Sequence, residues 1–278
     1  MTDMPVPSPT DFGALMRFWR DRRGKSQLDL SLDTGVSQRH LSFVESGRSV
    51  PSRQVLSNLA EGLDIPLRER NALFLAAGYA PLYPEPNWDA PQMRTVKRAV
   101  ERLVRQHEPW PALVMDRHWN VVMTNAAAPA FFGRFIDLAH YPRPRNLLRL
   151  LFDPGGLRPF VEDWPDLARS LILRLHREAP QGVLDAAAQA LLAELLAYPD
   201  IDPDWRYLRG QPDRAQLPYV PFTLRLGEQR LSYFSLITTV GTPQNVTAQE
   251  RRIESLFPAD DETEAAHLDL MGGDTQGR

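Results

Sequence analysis

Residues 26–51, SQLDLSLDTGVSQRHLSFVESGRSVP, read as two short helices joined by a tight turn, and that reading decides the fold of the N-terminal part of the chain. Ser26 is placed to cap the first helix, with Asp29 three residues on in the reach-back position of a capping box. Leu30 is the buried anchor of that helix. Gly35 stands where the chain must turn sharply at positive φ, and Val36 follows as the apolar plug between the helices. Ser37 caps the second helix, on which Leu41 and Val44 share one side at i, i+3 spacing and leave Gln38, Arg39, Ser42 and Phe43 pointing outward. Polar groups in the first turn and an apolar ring farther along are what readout in the DNA major groove requires.

Helical signals continue on both sides. The spacing predicts a first helix from about Asp11 to Arg23 with Leu15, Phe18 and Trp19 toward the core, and a fourth capped by Ser52 that holds Val55, Leu56 and Leu59. Pro66 opens a fifth, which carries Leu73, Phe74 and Leu75 and stops at Gly78. The formal net charge of the chain is −3, yet from Arg17 to Arg53 eight Lys or Arg face four acids, a local +4. A basic face inside a mildly acidic protein suits contact with phosphates and predicts salt-sensitive binding.

Residues 11–79 resemble the helix-turn-helix domain of the xenobiotic-response-element (XRE, Cro/C1-type) regulators, an all-α, five-helix, lambda-repressor-like fold. The resemblance is carried by Ser26-Gln27, Gly35-Val36-Ser37, Glu45-Ser46-Gly47-Arg48, Pro51 and SNLAEGLDIP from Ser57 to Pro66. Ser31 stands where that family has a small alanine, so its hydroxyl is expected to bond a backbone carbonyl one turn back. The resemblance implies a pair between Arg20 and Glu45 that orients the recognition helix. It also implies a double-stranded DNA operator as partner. Gln27, Ser37, Arg48 and backbone amides at the helix starts are expected to grip phosphates, Gln38 and Arg39 to read base edges, Ser42 and Phe43 to add polar or methyl contact, and His40 to lie beside the backbone. One small domain contacts few bases, so a homodimer on a pseudo-palindrome is expected.

At 278 residues the chain exceeds one typical domain, and its 43% hydrophobic and 24% charged residues are those of an ordinary globular protein. With no cysteine there is neither a disulfide framework nor a thiolate metal site. The first residues, MTDMPVPSPTD, lack a basic segment followed by an apolar one, and no apolar run approaches a membrane span; a cytoplasmic location without membrane contact is the expectation. Residues 1–10 are proline-rich and expected to be disordered. Residues 80–91, APLYPEPNWDAP, contain four prolines and mark a boundary, followed by a connector helix with Arg94, Arg98, Arg102 and Arg105 on one face and Val96, Val100, Leu103 and Val104 on another.

From Trp110 the pattern changes. PALVMDRHWNVVMTN reads as two short strands with a turn near Asp116 to His118. A helix is predicted from Ala126 to about Leu138, then helical stretches near 146–152, 158–178 and 183–198. Strands follow at 219–226 and 230–240. This order predicts an α+β layer, an antiparallel sheet with helices gathered on one side.

AxxxDRHWNVVMTNAAA, NLLRLLFDPGGLRPFVEDW, LLAELLAYPD and SLITTVGTPQNVTAQERRIESLFPAD resemble the ligand-binding domain of MmyB-like transcription regulators, a PAS-like fold; SQRHLSFVESGRSVPSR and LRERNALFLAAGYAP fit the helix-turn-helix attached to it. The expected division is thus a disordered N-terminus (1–10), an XRE-type domain (11–79), a linker and connector (80–108), a PAS-like ligand-binding domain (109–260) and a disordered tail (261–278). The resemblance implies a pocket for a small lipophilic, fatty-acid-like effector and no further cofactor. Trp119, Phe131, Phe135, Trp164, Phe222 and Phe234 are candidate walls, each also readable as ordinary core, and Asn125, Arg158 and Tyr233 are candidate polar anchors.

An enzyme finds little support. There is no HExxH pair, GxSxG elbow, P-loop or GxGxxG after a strand, and no metal-ligand spacing among the six histidines. His176 and Glu178 do not share a helix face, while Asp153-Pro154-Gly155-Gly156 and Gly241-Thr242-Pro243 read as turns. The expected function is a DNA-binding transcriptional regulator whose affinity a ligand modulates. The alternatives are a constitutive regulator whose second domain only dimerises or meets a partner, and an enzyme with a DNA-binding appendage.

Overall fold

Asp11, Ser26, Ser37 and Ser52 each accept a hydrogen bond from the backbone three residues on and so begin α1 (Phe12–Arg22), α2 (Gln27–Thr34), α3 (Gln38–Glu45) and α4 (Arg53–Gly62). In α2 the box is complete, since Asp29 accepts in return from the Ser26 backbone at 2.8 Å. A fifth helix, α5 (Leu67–Ala76), follows Pro66, which offers no side-chain cap. The structure, a computed structural model, describes residue 8 and residues 10–178, 185–201, 219 and 221–272. The expected disorder of 1–10 falls mostly outside the described residues.

The termini of α1–α5 are equally determined. After α3, Gly47 takes φ +71°, its N–H bonds the Val44 carbonyl at 3.1 Å and that of Arg48 the Phe43 carbonyl at 2.9 Å, the two bonds of a Schellman turn. Gly35, at φ +70°, ends α2 as expected. Leu15, Phe18, Trp19, Leu30, Val36, Leu41, Val44, Leu56, Leu59, Leu73 and Phe74 form the buried interior; each contributes about 1.5–3 kcal/mol by leaving water. Leu75 departs from the expectation, being 59% exposed, because it lies off the Leu73–Phe74 face. The back-bond expected of Ser31 is made instead by Thr34, whose hydroxyl donates to the Leu30 carbonyl at 2.6 Å.

The rest of the chain builds an α+β fold. It runs α6 (Arg94–Gln106), β1 (Ala112–Met115), β2 (Val121–Thr124), α7 (Ala127–Phe132), α8 (Leu147–Phe152), α9 (Trp164–Glu178), α10 (Ala186–Leu196), β3 (Phe222–Leu226), β4 (Gln229–Thr239), α11 (Val246–Gln249), β5 (Arg252–Pro258) and α12 (Asp261–Gly272). The strands form one antiparallel sheet in the order β2-β1-β5-β4-β3. Leu148, Phe152, Ile172, Leu175, Leu195, Leu224, Leu231 and Phe131 fill the core against it.

Three expectations are corrected here. The sequence predicts no strand at 252–258, yet β5 sits mid-sheet, pairing Ala112 with Ser255 and Phe234 with Phe257. Its RIESLFP begins with charge and breaks the period-2 signal, while Glu254 is buried against an arginine rather than by apolarity. The tail is no coil over 261–272 but α12, capped by Asp260, with Thr263 and His267 fully buried; anchoring by polar residues leaves no apolar period to read. Residues 273–278 lie outside the described residues. In α6, Val100 and Val104 are buried but Leu103 is 41% exposed, since it falls between that seam and the arginine face.

The contacts divide the chain into two units: residues 1–87 with 242–249, and residues 88–241 with 250–278. The basic helix α6 therefore belongs to the second unit. No described helix is long and apolar enough to cross a membrane.

His267 ties α12 down. Its Nε2 faces the Pro109 carbonyl at 3.1 Å, which only accepts, so Nε2 carries the proton and Nδ1 accepts from the Tyr233 hydroxyl at 2.7 Å. Burial among Trp110, Phe131 and Tyr233 lowers its pKa and raises that of the Tyr233 phenol. A depressed folded value means the unfolded chain binds the proton more tightly. This contribution is therefore complete above the ordinary imidazole pKa of about 6.5 and is lost as pH falls from there through the lowered folded value. Urea unfolding of wild type and His267→Gln between pH 7.5 and 5 should show a smaller loss of stability on acidification in the variant; parallel pH slopes would refute the assignment.

Candidate DNA-reading helix and ligand cavity

The eight-residue α3 presents Gln38, Arg39 and Ser42 to solvent, while Leu41, Val44 and Glu45 face inward. Phe43 is half-buried, and the Arg39 guanidinium lies over its ring, 5.5 Å from the centroid. Ser37 accepts from the His40 amide at 3.2 Å, leaving the other amides of the first turn directed outward. His40 is half-buried, with Nε2 buried and unpartnered among the described residues, and Arg48 is exposed just past the Gly47 turn.

What aims this helix is Glu45, whose side chain is 2% exposed. It accepts from Arg20 Nε at 2.6 Å and Nη2 at 3.0 Å, a bidentate fork from α1, and from Gln27 Nε2 of α2 at 3.0 Å. Arg20 in turn donates Nη1 to the Lys25 carbonyl at 2.8 Å, and its bond to Glu45 raises its pKa. The expected Arg20–Glu45 pair is present. Gln27, expected at phosphate, spends one amide hydrogen on Glu45. Arg17 Nη2 donates to the Glu45 carbonyl at 3.2 Å, and a Cβ on Gly13 would come within 2.8 Å of that oxygen, so the α1 backbone passes directly against the end of α3.

The second unit holds a cavity of about 190 Å³. Leu113, Leu147, Leu151, Leu167, Leu171 and Leu256 give it apolar walls, joined by Trp119, Phe132, Phe222 and Phe234. Of the candidate wall residues, Trp119, Phe222 and Phe234 are brought together there. Phe131 instead packs with Phe135, Tyr233 and His267. Trp164 lies against Phe152 and under Arg158, which pairs with Asp200 at 2.8 Å. Asn125 is a structural pin, accepting from the Ala112 and Ala128 amides and donating to the Val104 and Trp110 carbonyls.

The polar cavity residues are ones that sequence reasoning missed: Ser170, Arg174, Arg177, Ser235 and Glu254. Their only signal was the α9 stripe Leu167, Ser170, Leu171, Arg174, apolar at helical spacing but interrupted by polar members. Arg174 clasps Glu254 through two 3.0 Å bonds and Glu178 at 2.7 Å, with its guanidinium 4.4 Å from the Trp119 ring centroid. Arg252 lies over the same ring at 5.2 Å, bonds Glu178 and the Asp116 carbonyl, and has its pKa pushed down to about 10 by burial and by Arg174. Trp119 itself sits at φ +67°, held by a turn in which Asp116 accepts from the His118 and Asn120 amides. Its indole N–H is buried without a partner among the described residues.

Two family models match the chain: helix-turn-helix over residues 16–70, and the MmyB-like transcription regulator ligand binding domain over residues 96–270. No curated protein matches it. Among solved structures it is similar to one described as "Structure of an RNA-binding Light-Oxygen-Voltage Receptor", at 12% identity and a TM-score of 0.28 over 96% of this chain; it spans 63% of that chain's length, less than two thirds.

Removing one partner of a buried pair strands the other charge, so Glu45→Ala is expected to destabilise the first unit by about 3–5 kcal/mol, and Glu45→Gln, which keeps an acceptor, by less. Urea unfolding of both variants checks this; equal, sub-kilocalorie effects would show the pair to be a minor contact.

Proposed function

Starting from a chain that belongs to the MmyB-like transcription regulators, we propose that it binds a pseudo-palindromic operator as a cytoplasmic homodimer and that a small lipophilic molecule in the cavity changes its DNA affinity. Its domains are those of a DNA-binding transcription regulator with a ligand-binding domain. The observation that carries the reading is the clamp on α3: a helix held from beneath by Glu45 while Gln38, Arg39 and Ser42 are exposed above.

Gln38 reads adenine and Arg39 guanine, after leaving its resting place over Phe43; Ser42 and Phe43 add hydroxyl and methyl contact. Ser37, Arg48, the second Gln27 amide hydrogen and the free amides of α3 position the phosphates, with His40 beside them. In the second unit, Trp119, Phe222 and Phe234 with the leucines hold an apolar body. The Arg174–Glu254 and Arg252–Glu178 pairs neutralise each other, so they set a polar wall rather than a net charge. Arg177, exposed and with no carboxylate partner among the described residues, meets a polar or anionic headgroup. Asn125, Arg158, Trp164, Phe131, Phe135 and Tyr233 support the domain rather than touch the effector.

Duplexes selected from a random pool provide the operator. Arg39→Ala and Gln38→Ala should each weaken it by roughly 5- to 150-fold and flatten preference at one base position; retained preference would sink the readout assignment. Arg48→Gln should weaken all duplexes alike and reduce the log K against log salt slope by about 0.9. Native mass spectrometry of the purified protein should reveal a co-purified small molecule that Leu171→Trp excludes. Absence of such a mass, with operator affinity unchanged by Leu171→Trp, would favour a constitutive regulator.

A further inference from the structure

The first unit is discontinuous in sequence. Residues 242–249, which connect β4 to β5, fold into it rather than into the unit that supplies both strands. Val246, Thr247 and Ala248 are buried there; the Val246 amide donates to the Pro84 carbonyl at 3.0 Å and the Thr247 hydroxyl to that of Pro86 at 2.6 Å. Asn245 caps the short α11 through the Ala248 amide at 2.8 Å. Most telling is Gln249. Helix α5 begins at Leu67 without a cap of its own, and the Leu67 amide donates to Gln249 Oε1 at 2.8 Å, across 182 residues of sequence.

The same two strands wall the cavity through Phe234 and Ser235 of β4 and Glu254 and Leu256 of β5. Glu254 is only five residues beyond Gln249, a span of at most roughly 17 Å of extended chain. That stretch is held at its start: Glu250 pairs with Arg117 at 3.4 Å, the Arg251 guanidinium lies over Trp88 at 5.2 Å, and Arg252 joins the cluster around Trp119. A short, anchored tether transmits displacement where a slack loop would absorb it. Helix α5 packs on α1, whose Arg20 holds Glu45.

We propose that the β4–β5 connection is the output element of the ligand-binding domain: by capping α5 through Gln249 it makes the state of the cavity walls a determinant of the helix-turn-helix. The proposal rests on the cavity being the effector site, but its test measures the connection alone, with neither DNA nor effector, so failure of either is told apart from failure of the other.

Hydrogen exchange of the full-length protein, read by peptide, supplies that test. In Gln249→Ala the amides at the start of α5 should exchange roughly fivefold faster, as for loss of one helix cap. Because coupling is reciprocal, β4 and β5 should also change. Ser235→Phe, which pushes a ring into the cavity from β4, should alter α5 exchange at least twofold in the wild-type background and leave it unaltered beside Gln249→Ala. Should Ser235→Phe abolish sheet protection, Ser170→Phe fills the same cavity from α9 with the same expectation. Unchanged α5 protection in Gln249→Ala would overturn the capping role, and changes confined to α5 in Gln249→Ala, or to the sheet in the cavity variants, would overturn transmission.

Discussion

Helix α3 of this protein is aimed by one buried carboxylate. An eight-residue helix in water has too few hydrogen bonds to outweigh its nucleation cost. Two apolar anchors, Leu41 and Val44, press α3 onto the core but leave it free to roll about their line of contact. Glu45 removes that freedom: its oxygens take donors from α1 and α2 together, so rotation of any of the three helices breaks a charge-assisted bond in a place water does not reach. Burying the carboxylate costs several kcal/mol, which the fork from Arg20 and the amide of Gln27 offset. The clamp contributes orientation more than net stability, and orientation is what a helix presenting Gln38 and Arg39 needs.

The second unit applies similar physics to a different end. Two arginines lie over one indole ring and two glutamates bind the arginines, so four charges, Glu254 buried and the others half-buried, sum to zero around Trp119. Neutrality lets a polar wall exist beside leucines, while the indole N–H remains a donor with no partner among the described residues. The left-handed backbone at Trp119 and the Asp116 turn that enforces it hold the ring in place.

How much of this could be read from sequence followed from how local each signal was. Caps are local: Ser26 with Asp29, Ser37, Ser52 and the positive φ of Gly35 all stood in the residue order, and with them the five helices. The Arg20–Glu45 pair was accessible through family resemblance alone, since no short-range rule joins residues 25 apart. Strand β5 and helix α12 were missed because their burial is bought by specific partners, Arg174 for Glu254 and Tyr233 for His267, rather than by apolar period. The cavity's polar wall was missed for the same reason, having been assembled from α9 and β5. Asn125, Arg158 and Tyr233 were reasonable anchors by residue type, but each satisfies neighbours elsewhere.

The late return of residues 242–249 also matters during synthesis. Helices α1–α5 leave the ribosome first, and the segment that supplies the cap of α5 follows about 170 residues later, a delay of roughly 10–35 s at ordinary elongation rates. Through that interval the nascent helix-turn-helix lacks Gln249 and the three buried residues before it. A nascent chain can thus carry the whole of α3 and still lack part of the first unit. Completion of the first unit waits on translation of residues 88–241 of the second.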